Sequence, residues 1–533
     1  MSNTGFIILN RLKKIMHSLQ KTQITAIITI LLLSINGPIL SGNIANAIPS
    51  DTNTQATYEG PTDFAAKHPE GAPSPEHLIY YRSDNTNLAT IKQDMAAGKN
   101  NLATPGTQAT TTGTAITSPS GFDGLAYSES GGYYPPDVQV AVGPSHIVQM
   151  VNLAGRIFDK SGNTVSNISL VSFFNTGSDF ISDPKIMYDA PSGRWFASIA
   201  DISTSSVKLA VSSTSDPRST WYLFNFNFGN NYCPDQPILG LNDDKVVISV
   251  NEFSNKCGIN GGSVVYVGAQ YVVINKQNLL TPPAPPGPST YFSTPVSSLF
   301  SLHPAQAFGT SGKSLYMASV GSGSTSNLVV LKITGNPING NTTQTRTNIA
   351  ISAVGIPPNG VQPNTGSAID TGDARVQDAK WYNNKLWIAF TDSCVPSGDT
   401  KRRSCLHLVQ LTTSTSPISK SQDFFYGVKN SYLFYPVLEI DTSSNLSLAY
   451  GVSSSITYPS IYSTGQLSSA SANTLQAPLL LKAGASPDTS GRYGDYFGAG
   501  LDPLVAGKVW VSGEYHKASS SKPWSTWIAS ITQ

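Results

Sequence analysis

The chain is predicted to be all-β, a seven-bladed β-propeller of four-stranded antiparallel blades. Two observations predict it. A short unit recurs seven times: a polar or aromatic lead residue, a small-and-apolar strand, a tight turn and a second apolar strand. Long helical periodicity is also missing after Gly121. There, β-branched and aromatic runs such as VVISV, LVVLKI, LWIAF and VWVSG are bounded by Gly, Asn, Asp or Pro. Self-similarity at a period of tens of residues marks a propeller or solenoid, whose units bury their apolar faces only against one another.

The seven leads are Asp137, Asp183, Asp235, His303, Gln377, Tyr435 and Asp495, spaced 46, 52, 68, 74, 58 and 60 residues apart. The longer intervals carry visible insertions, TPPAPPGPS and NPINGNTTQTRT. The second repeat reads most clearly as a four-stranded meander: PKIMYD and RWFASIA joined by APSG, then VKLAVS and TWYLFNF joined by SDPRS. Counts of six or eight blades stay open, because the first and fourth repeats are less distinct. A β-sandwich array is the alternative, but it predicts no ring of leads at equivalent places.

Three regions follow. Residues 1–47 read as a secretory signal peptide: Arg11, Lys13, Lys14 and Lys21 precede the apolar run 24–35, and Ala45-Asn46-Ala47 is a small-x-small cleavage site. A membrane anchor is the alternative, but the run is shorter than the ~20 apolar residues of a spanning helix. Residues 48–120, rich in Pro, Thr, Asn, Gly and Ala, read as a mostly disordered linker or stalk with one short patch at 77–81. Residues 121–533 read as the propeller. The expected location is secreted, or associated with the cell surface, with no membrane span in the mature chain.

Charged residues are 12% of the chain and the formal net charge is +1, so nothing favours nucleic acid as a partner. Four cysteines in an exported chain suggest two disulfides, most economically Cys233–Cys257 and Cys394–Cys405, each within one repeat. No CxxC spacing exists and His407 stands alone, which argues against zinc. HExxH, GxSxG, P-loop and dinucleotide motifs are absent. Sequons stand at Asn167, Asn341 and Asn445.

The segment TSDPRSTW, residues 214–221, resembles the Asp-box turn of sialidase-like propellers: Thr214, Asp216, Thr220 and Trp221 match, while Arg218 departs from the usual Gly. The resemblance implies a turn between the third and fourth strands of a blade, and the box is structural, not catalytic. The motifs PPDVQVAVGPSHIVQMVN, DARVQDAKWYNNKLW and RYGDYFGAGLDP also look like those of exported prokaryotic propeller proteins, a likeness that covers about 400 residues.

In a propeller, the loops entering the first strand and joining the second to the third share one face, here the top. The leads should therefore gather at the top mouth of the central channel. Asp137, Asp183, Asp235 and Asp495 would form an acidic arc there, completed by His303, Gln377 and Tyr435. In one reading each Asp accepts backbone N–H groups at its strand entrance. In the other, the carboxylates hold a hard cation such as Ca²⁺ or Na⁺, or a polar ligand. The expected partner is an extracellular ligand, glycan or protein. A sialidase-like glycosidase is the alternative, with Arg375, Arg492 and Arg156 as anion contacts, and Tyr435 or Tyr493 paired with Glu439 or Glu514. Arg194 and Arg218 fall in turns of the opposite face. A structural matrix protein is the third possibility. His146, His407 and His516 read as strand or turn residues, and Trp195, Trp387 and Trp510 as inter-blade core.

Overall fold

The computed structural model describes residues 55–63, 106–229, 231–258, 263–282, 287–308, 313–320, 325–518 and 524–533. The signal-like segment and the patch at 77–81 lie outside them.

Seven sheets, antiparallel except for Gln306–Phe308, which pairs in parallel with the first strand of blade 5, form seven blades around one axis. From the axis outward, blade 1 is Gln139–Val142, His146–Val151, Ala154–Asp159 and Thr164–Ser169. Blade 2 is Ile181–Asp189, Arg194–Asp201, Ser206–Ser212 and Trp221–Asn227. Blade 3 is Tyr232–Leu241, Lys245–Ser254, Tyr266–Asn275 and Thr290–Phe292. Blade 4 is His303–Pro304, Leu315–Val320, Thr325–Thr334 and Thr343–Val354. Blade 5 is Val376–Tyr382, Lys385–Cys394, Arg403–Thr412 and Ser419–Tyr426. Blade 6 is Ser431–Ile440, Leu446–Ser454, Thr457–Gln466 and Leu479–Lys482. Blade 7 takes Gly498–Leu501, Lys508–His516 and Trp524–Thr532 from the C-terminal end, and its outermost strand, Thr117–Ala126, from before blade 1. That last pairing, Ser120 opposite Ser530 and Phe122 opposite Ile528, closes the ring.

The strand before Gly121 departs from the sequence reading. Two further strands of the expected linker are ordered: Gln55–Thr62 adds a fifth strand to blade 2, and Thr110–Ala115 pairs in parallel with Thr474–Ala477. These edge strands are held by backbone hydrogen bonds. Thr110–Ala115 is exposed at every position, so it has no apolar alternation for a sequence pattern to reveal.

Each gap between blades holds its own apolar core. Trp195 and Trp221 fill the gap between blades 1 and 2, Phe196, Leu209 and Ile248 that between 2 and 3, and Trp387 and Leu438 that between 5 and 6. Trp510 packs with Val140 and Phe158 across the closing gap between 7 and 1. The three second-strand tryptophans are thus inter-blade core, as their recurrence implied. The turn at 214–221 joins the third and fourth strands of blade 2. In it Thr214 Oγ1 accepts the Asp216 N–H (3.1 Å), Asp216 Oδ1 accepts the Arg218 N–H (2.9 Å), and Trp221 Nε1 donates to the Pro217 carbonyl (2.8 Å).

Both disulfides form as paired from the sequence, with Cα atoms 5.4 Å apart in Cys233–Cys257 and 5.8 Å in Cys394–Cys405. Cys233, at the head of the first strand of blade 3, is tied to the turn after its second strand, and Cys394, at the end of the second strand of blade 5, to Cys405 on its third strand. Replacing either pair by serine should lower stability by about 3 kcal/mol through the freed loop entropy of the unfolded chain, measured by urea unfolding. Equal midpoints for mutant and parent would sink that account.

A second top-face element is ionic. His407 lies between the rings of Phe390 (4.6 Å) and Phe425 (4.2 Å). Its Nδ1 meets Asp392 Oδ2 (2.8 Å) and its Nε2 meets Asp423 Oδ1 (2.7 Å). Burial alone would pull the imidazole's pKa down, but hydrogen bonds to the two carboxylates outweigh it and raise it. A raised histidine contributes stability that is full below its unfolded pKa of about 6.5 and is lost as pH rises through the folded value. His407→Gln should therefore cost about 3 kcal/mol or more at pH 6 and clearly less at pH 9, read from urea midpoints at both pH values.

Candidate functional site: the top mouth of the channel

The site begins with an unusual backbone conformation. Asp137 (φ 52), Asp183 (φ 57), Tyr435 (φ 53) and Asp495 (φ 62) are all left-handed, a region that non-glycine residues enter at a cost. These four leads occupy equivalent places at the head of the innermost strand. In blade 3 the left-handed residue is Gln236 (φ 49), one after Asp235. In blade 4 it is Ser301 (φ 44), two before His303, and in blade 5 it is Ala374 (φ 66), three before Gln377. The structure therefore shifts the sequence register in three blades. The signal that could have corrected blade 3 is a proline: Asp183-Pro184, Gln236-Pro237 and Tyr435-Pro436 align. At each of these the strand ladder skips residues, because proline has no N–H to donate.

The left-handed turn aims the lead's N–H at the neighbouring blade. The Asp183 N–H donates to Asn152 Oδ1 of blade 1 (3.0 Å). The Ser301 N–H donates to Asn251 Oδ1 of blade 3 (2.8 Å), and the Tyr435 N–H to Thr391 Oγ1 of blade 5 (3.0 Å). The same polar latch therefore crosses three of the gaps. Gly494 (φ +91) lies so close to Tyr435 that a Cβ there would collide with the ring, which explains the glycine.

The lead side chains then converge. Asp137 is fully buried; one oxygen accepts from Asn152 Nδ2 (2.6 Å), and its carboxyl also pairs with that of Asp183. Asp183 accepts from Ser182 Oγ (2.8 Å) and from the Tyr496 hydroxyl (3.0 Å). Asp495 sits at the rim and takes Arg492 through Nη2 (3.2 Å) and Nη1 (3.4 Å). Arg375 forks onto Asp373 with both nitrogens at 2.7 Å, donates to Gln236 Oε1, and lies over the Phe300 ring at 4.7 Å. Lys185 places its ammonium 3.0 Å from the Tyr496 ring centroid.

Burial pushes the Asp137 carboxyl well above its ordinary range, and the charges of Asp183 and Asp495 push it further. Asp235 is raised in the same way, by burial and then by Asp183. A residue that sequence reasoning missed completes the pattern. Glu252, on the second strand of blade 3, is fully buried, and neither carboxyl oxygen has a hydrogen-bond partner. Burial, with Asp235 beside it, drives its pKa well up. These carboxyls stay protonated where exposed acids ionise, so they can both donate and accept hydrogen bonds. The acidic arc is also threaded by internal cations, Lys185, Arg375 and Arg492. Among the described residues no group of three or more His, Cys, Asp or Glu side chains is arranged to hold a metal ion.

The remaining nominees lie elsewhere. His303 and Gln377 line the channel below the mouth. Gln377 Oε1 accepts from the Thr391 N–H (2.9 Å) and hydroxyl (2.8 Å). Burial lowers the His303 pKa to about 4, so it is neutral. Arg156 is on the third strand of blade 1, away from the axis, held by Glu129 (2.6 Å) and Asn167 (2.6 Å). The Tyr493 hydroxyl donates to the main-chain carbonyl of Glu514 (2.7 Å), and the Tyr435 hydroxyl to that of Asp370 (3.1 Å).

No protein-family model matches the chain, and no curated protein matches it. Solved structures with a similar chain path include a protein of unknown function from Dyadobacter fermentans, 10% identical with a TM-score of 0.36, covering 78% of this chain and 99% of that one. A Synechocystis apocarotenoid oxygenase mutant is 9% identical with a TM-score of 0.35, covering 65% and 74%. A subtype N11 neuraminidase-like protein of A/flat-faced bat/Peru is 9% identical with a TM-score of 0.31, covering 80% and 96%. Likenesses this distant carry no argument about activity, and the propeller assignment rests on the strand pairing itself.

The raised Glu252 pKa has a stability consequence. A carboxyl raised by folding contributes stability that is full below its unfolded value and lost as pH rises through the folded one. Glu252→Gln fixes the neutral form. The variant should match the parent near pH 4 and exceed it by about 1 kcal/mol or more at pH 8, since a tenfold change in proton affinity is worth about 1.4 kcal/mol. Guanidinium unfolding at both pH values reads the difference, and a gap independent of pH would contradict it.

Proposed function

We propose that the chain is an exported binding protein that holds a neutral, hydroxyl-rich ligand, a glycan, over the top mouth of its channel. One observation carries the reading: buried polar atoms without partners lie there, namely both Glu252 oxygens and Arg492 Nε. Buried polar atoms are costly unless something bonds them. A protonated carboxyl donates and accepts at once, which matches a sugar hydroxyl. The internal cations Lys185, Arg375 and Arg492 already offset the ionised carboxylates, so an uncharged ligand suits the mouth better than Ca²⁺ does. The two disulfides hold loops on the same face, and preformed loops reduce the ordering cost of binding. The signal-like N-terminus, the disulfides and the absence, among the described residues, of any helix long and apolar enough to cross a membrane agree with action outside the cell.

A glycoside hydrolase is the second reading, favoured by one feature. Asp235 and Glu252 are neighbouring acids, both raised: burial and Asp183 raise Asp235 against the opposing Arg375 charge, whereas burial and the Asp235 charge raise Glu252 with no opposing cation. Environments that push two acids apart are how acid and base roles are divided. A sialidase-type site is less supported, because Arg375 is already engaged by Asp373 and Gln236 and Arg156 stands off the axis.

The test is a glycan array run beside sialidase and general glycosidase assays on the mature protein. Binding should be seen on the array, and Asp137→Asn combined with Glu252→Ala should weaken it at least tenfold. Hydrolysis abolished by Glu252→Gln would favour the enzyme. An inert protein in every assay would leave a structural role on the cell surface.

A further inference from the structure

Below the mouth, the inner strands border a partly open cavity of about 70 Å³, with Tyr496 in its wall. Its polar lining includes Lys185, Lys380, His303, Gln306, Gln377 and Tyr496, with one carboxylate, Asp378. Two of these are ammonium groups, and both are buried. Lys185 makes no ion pair or hydrogen bond among the described residues; it lies over the Tyr496 ring, within the field of the Asp183, Asp137, Asp378 and Asp495 carboxyls. Lys380 has one close acceptor, Gln306 Oε1 at 3.0 Å.

The nearest carboxylates do not fill this need. Asp378 Oδ1 is 3.9 Å from Lys380 Nζ and Glu439 Oε2 is 3.8 Å away. Asp378 already accepts the N–H of Ala379 (2.8 Å) on one oxygen and that of Leu438 (2.8 Å) on the other. Glu439 Oε1 accepts the Ile440 N–H (2.9 Å). Two ammonium groups, each with three N–H donors, therefore border one small cavity with a single close acceptor. Buried donors are almost always satisfied, and the cost of leaving charged ones bare is several-fold that of a neutral group.

We propose that this cavity is a site for a small inorganic anion, chloride or nitrate in size, bridging Lys185 and Lys380. The donors set the class: two ammonium groups facing one small space suit an ion of a few atoms. The anion would accept from both ammonium groups and from the Gln377 amide, whose oxygen is already engaged by Thr391. It would lock blades 2 and 5 to one point on the axis. The site uses none of the partnerless atoms of the glycan reading, although Lys185 borders both.

The experiment is thermal unfolding at pH 7 in sodium chloride, sodium nitrate and sodium gluconate at matched ionic strength, gluconate being too large to enter. The melting temperature should rise in chloride and nitrate by about 1–2 °C per tenfold in concentration once the site is half filled. Gluconate should give no such rise. Lys185→Met and, separately, Lys380→Met should each abolish the difference, while Asp216→Asn in the blade 2 turn should keep it. A bromide-soaked crystal should show one anomalous peak on the axis between the two lysines. Identical melting in chloride and gluconate would overturn the proposal and leave the ammonium groups to water. So would an anion effect that survives either lysine substitution. If a lysine variant does not fold, the bromide peak in the parent decides alone.

Discussion

The pairing of Thr117–Ala126 with Trp524–Thr532 is the contact on which the remaining architecture depends. A propeller has no central core; each blade is stable only because its two faces are covered by neighbours. An open ring would leave Val140, Phe158 and Trp510 without their partners, and the edges of two blades bare. Pairing a strand from before the first blade with the end of the last converts seven pairwise packings into one cooperative ring. The further strands Gln55–Thr62 and Thr110–Ala115 extend the same solution along the rims of blades 2 and 6.

Closure fixes what happens on the axis. Seven inner strands meet there too closely to leave a wide pore and too polar at their heads to pack dry. The chain resolves this with left-handed leads whose N–H groups reach the next blade. Asn152, Asn251 and Thr391 receive them, so the same turns that point side chains inward also latch blade to blade. The conformational cost of each turn is offset by a bond that only the closed ring can make. The carboxyls this brings together cannot all be ionised at short range. They are reconciled by raised proton affinity at Asp137, Asp235 and Glu252 and by Lys185, Arg375 and Arg492 among them. Polar atoms remain without partners at the mouth, and ammonium groups remain underused in the channel. Both are places where ligand groups would complete the structure.

The blade count and both disulfides were legible in the chain because each rests on local spacing. A blade is a run of short antiparallel strands, and each cysteine pair spans a single repeat. The leads were legible in part. Asp137, Asp183, Tyr435 and Asp495 stand at equivalent strand heads, whereas Asp235, His303 and Gln377 are offset by one to three residues from the left-handed position, which composition alone does not mark. Glu252 was invisible: a glutamate on a second strand looks like any surface acid until burial and the proximity of Asp235 are known.

What the sequence alone determined is therefore the repeat, the strand types, the cysteine pairing and the gathering of polar residues at strand heads, all consequences of side-chain period and turn residues. What only the tertiary structure decided is which carboxyls meet, which are neutralised and where an ammonium is left without an acceptor. Those outcomes depend on distances between blades hundreds of residues apart, such as Tyr496 reaching Asp183. Burial at such distances changes a group's charge, and no local pattern records it.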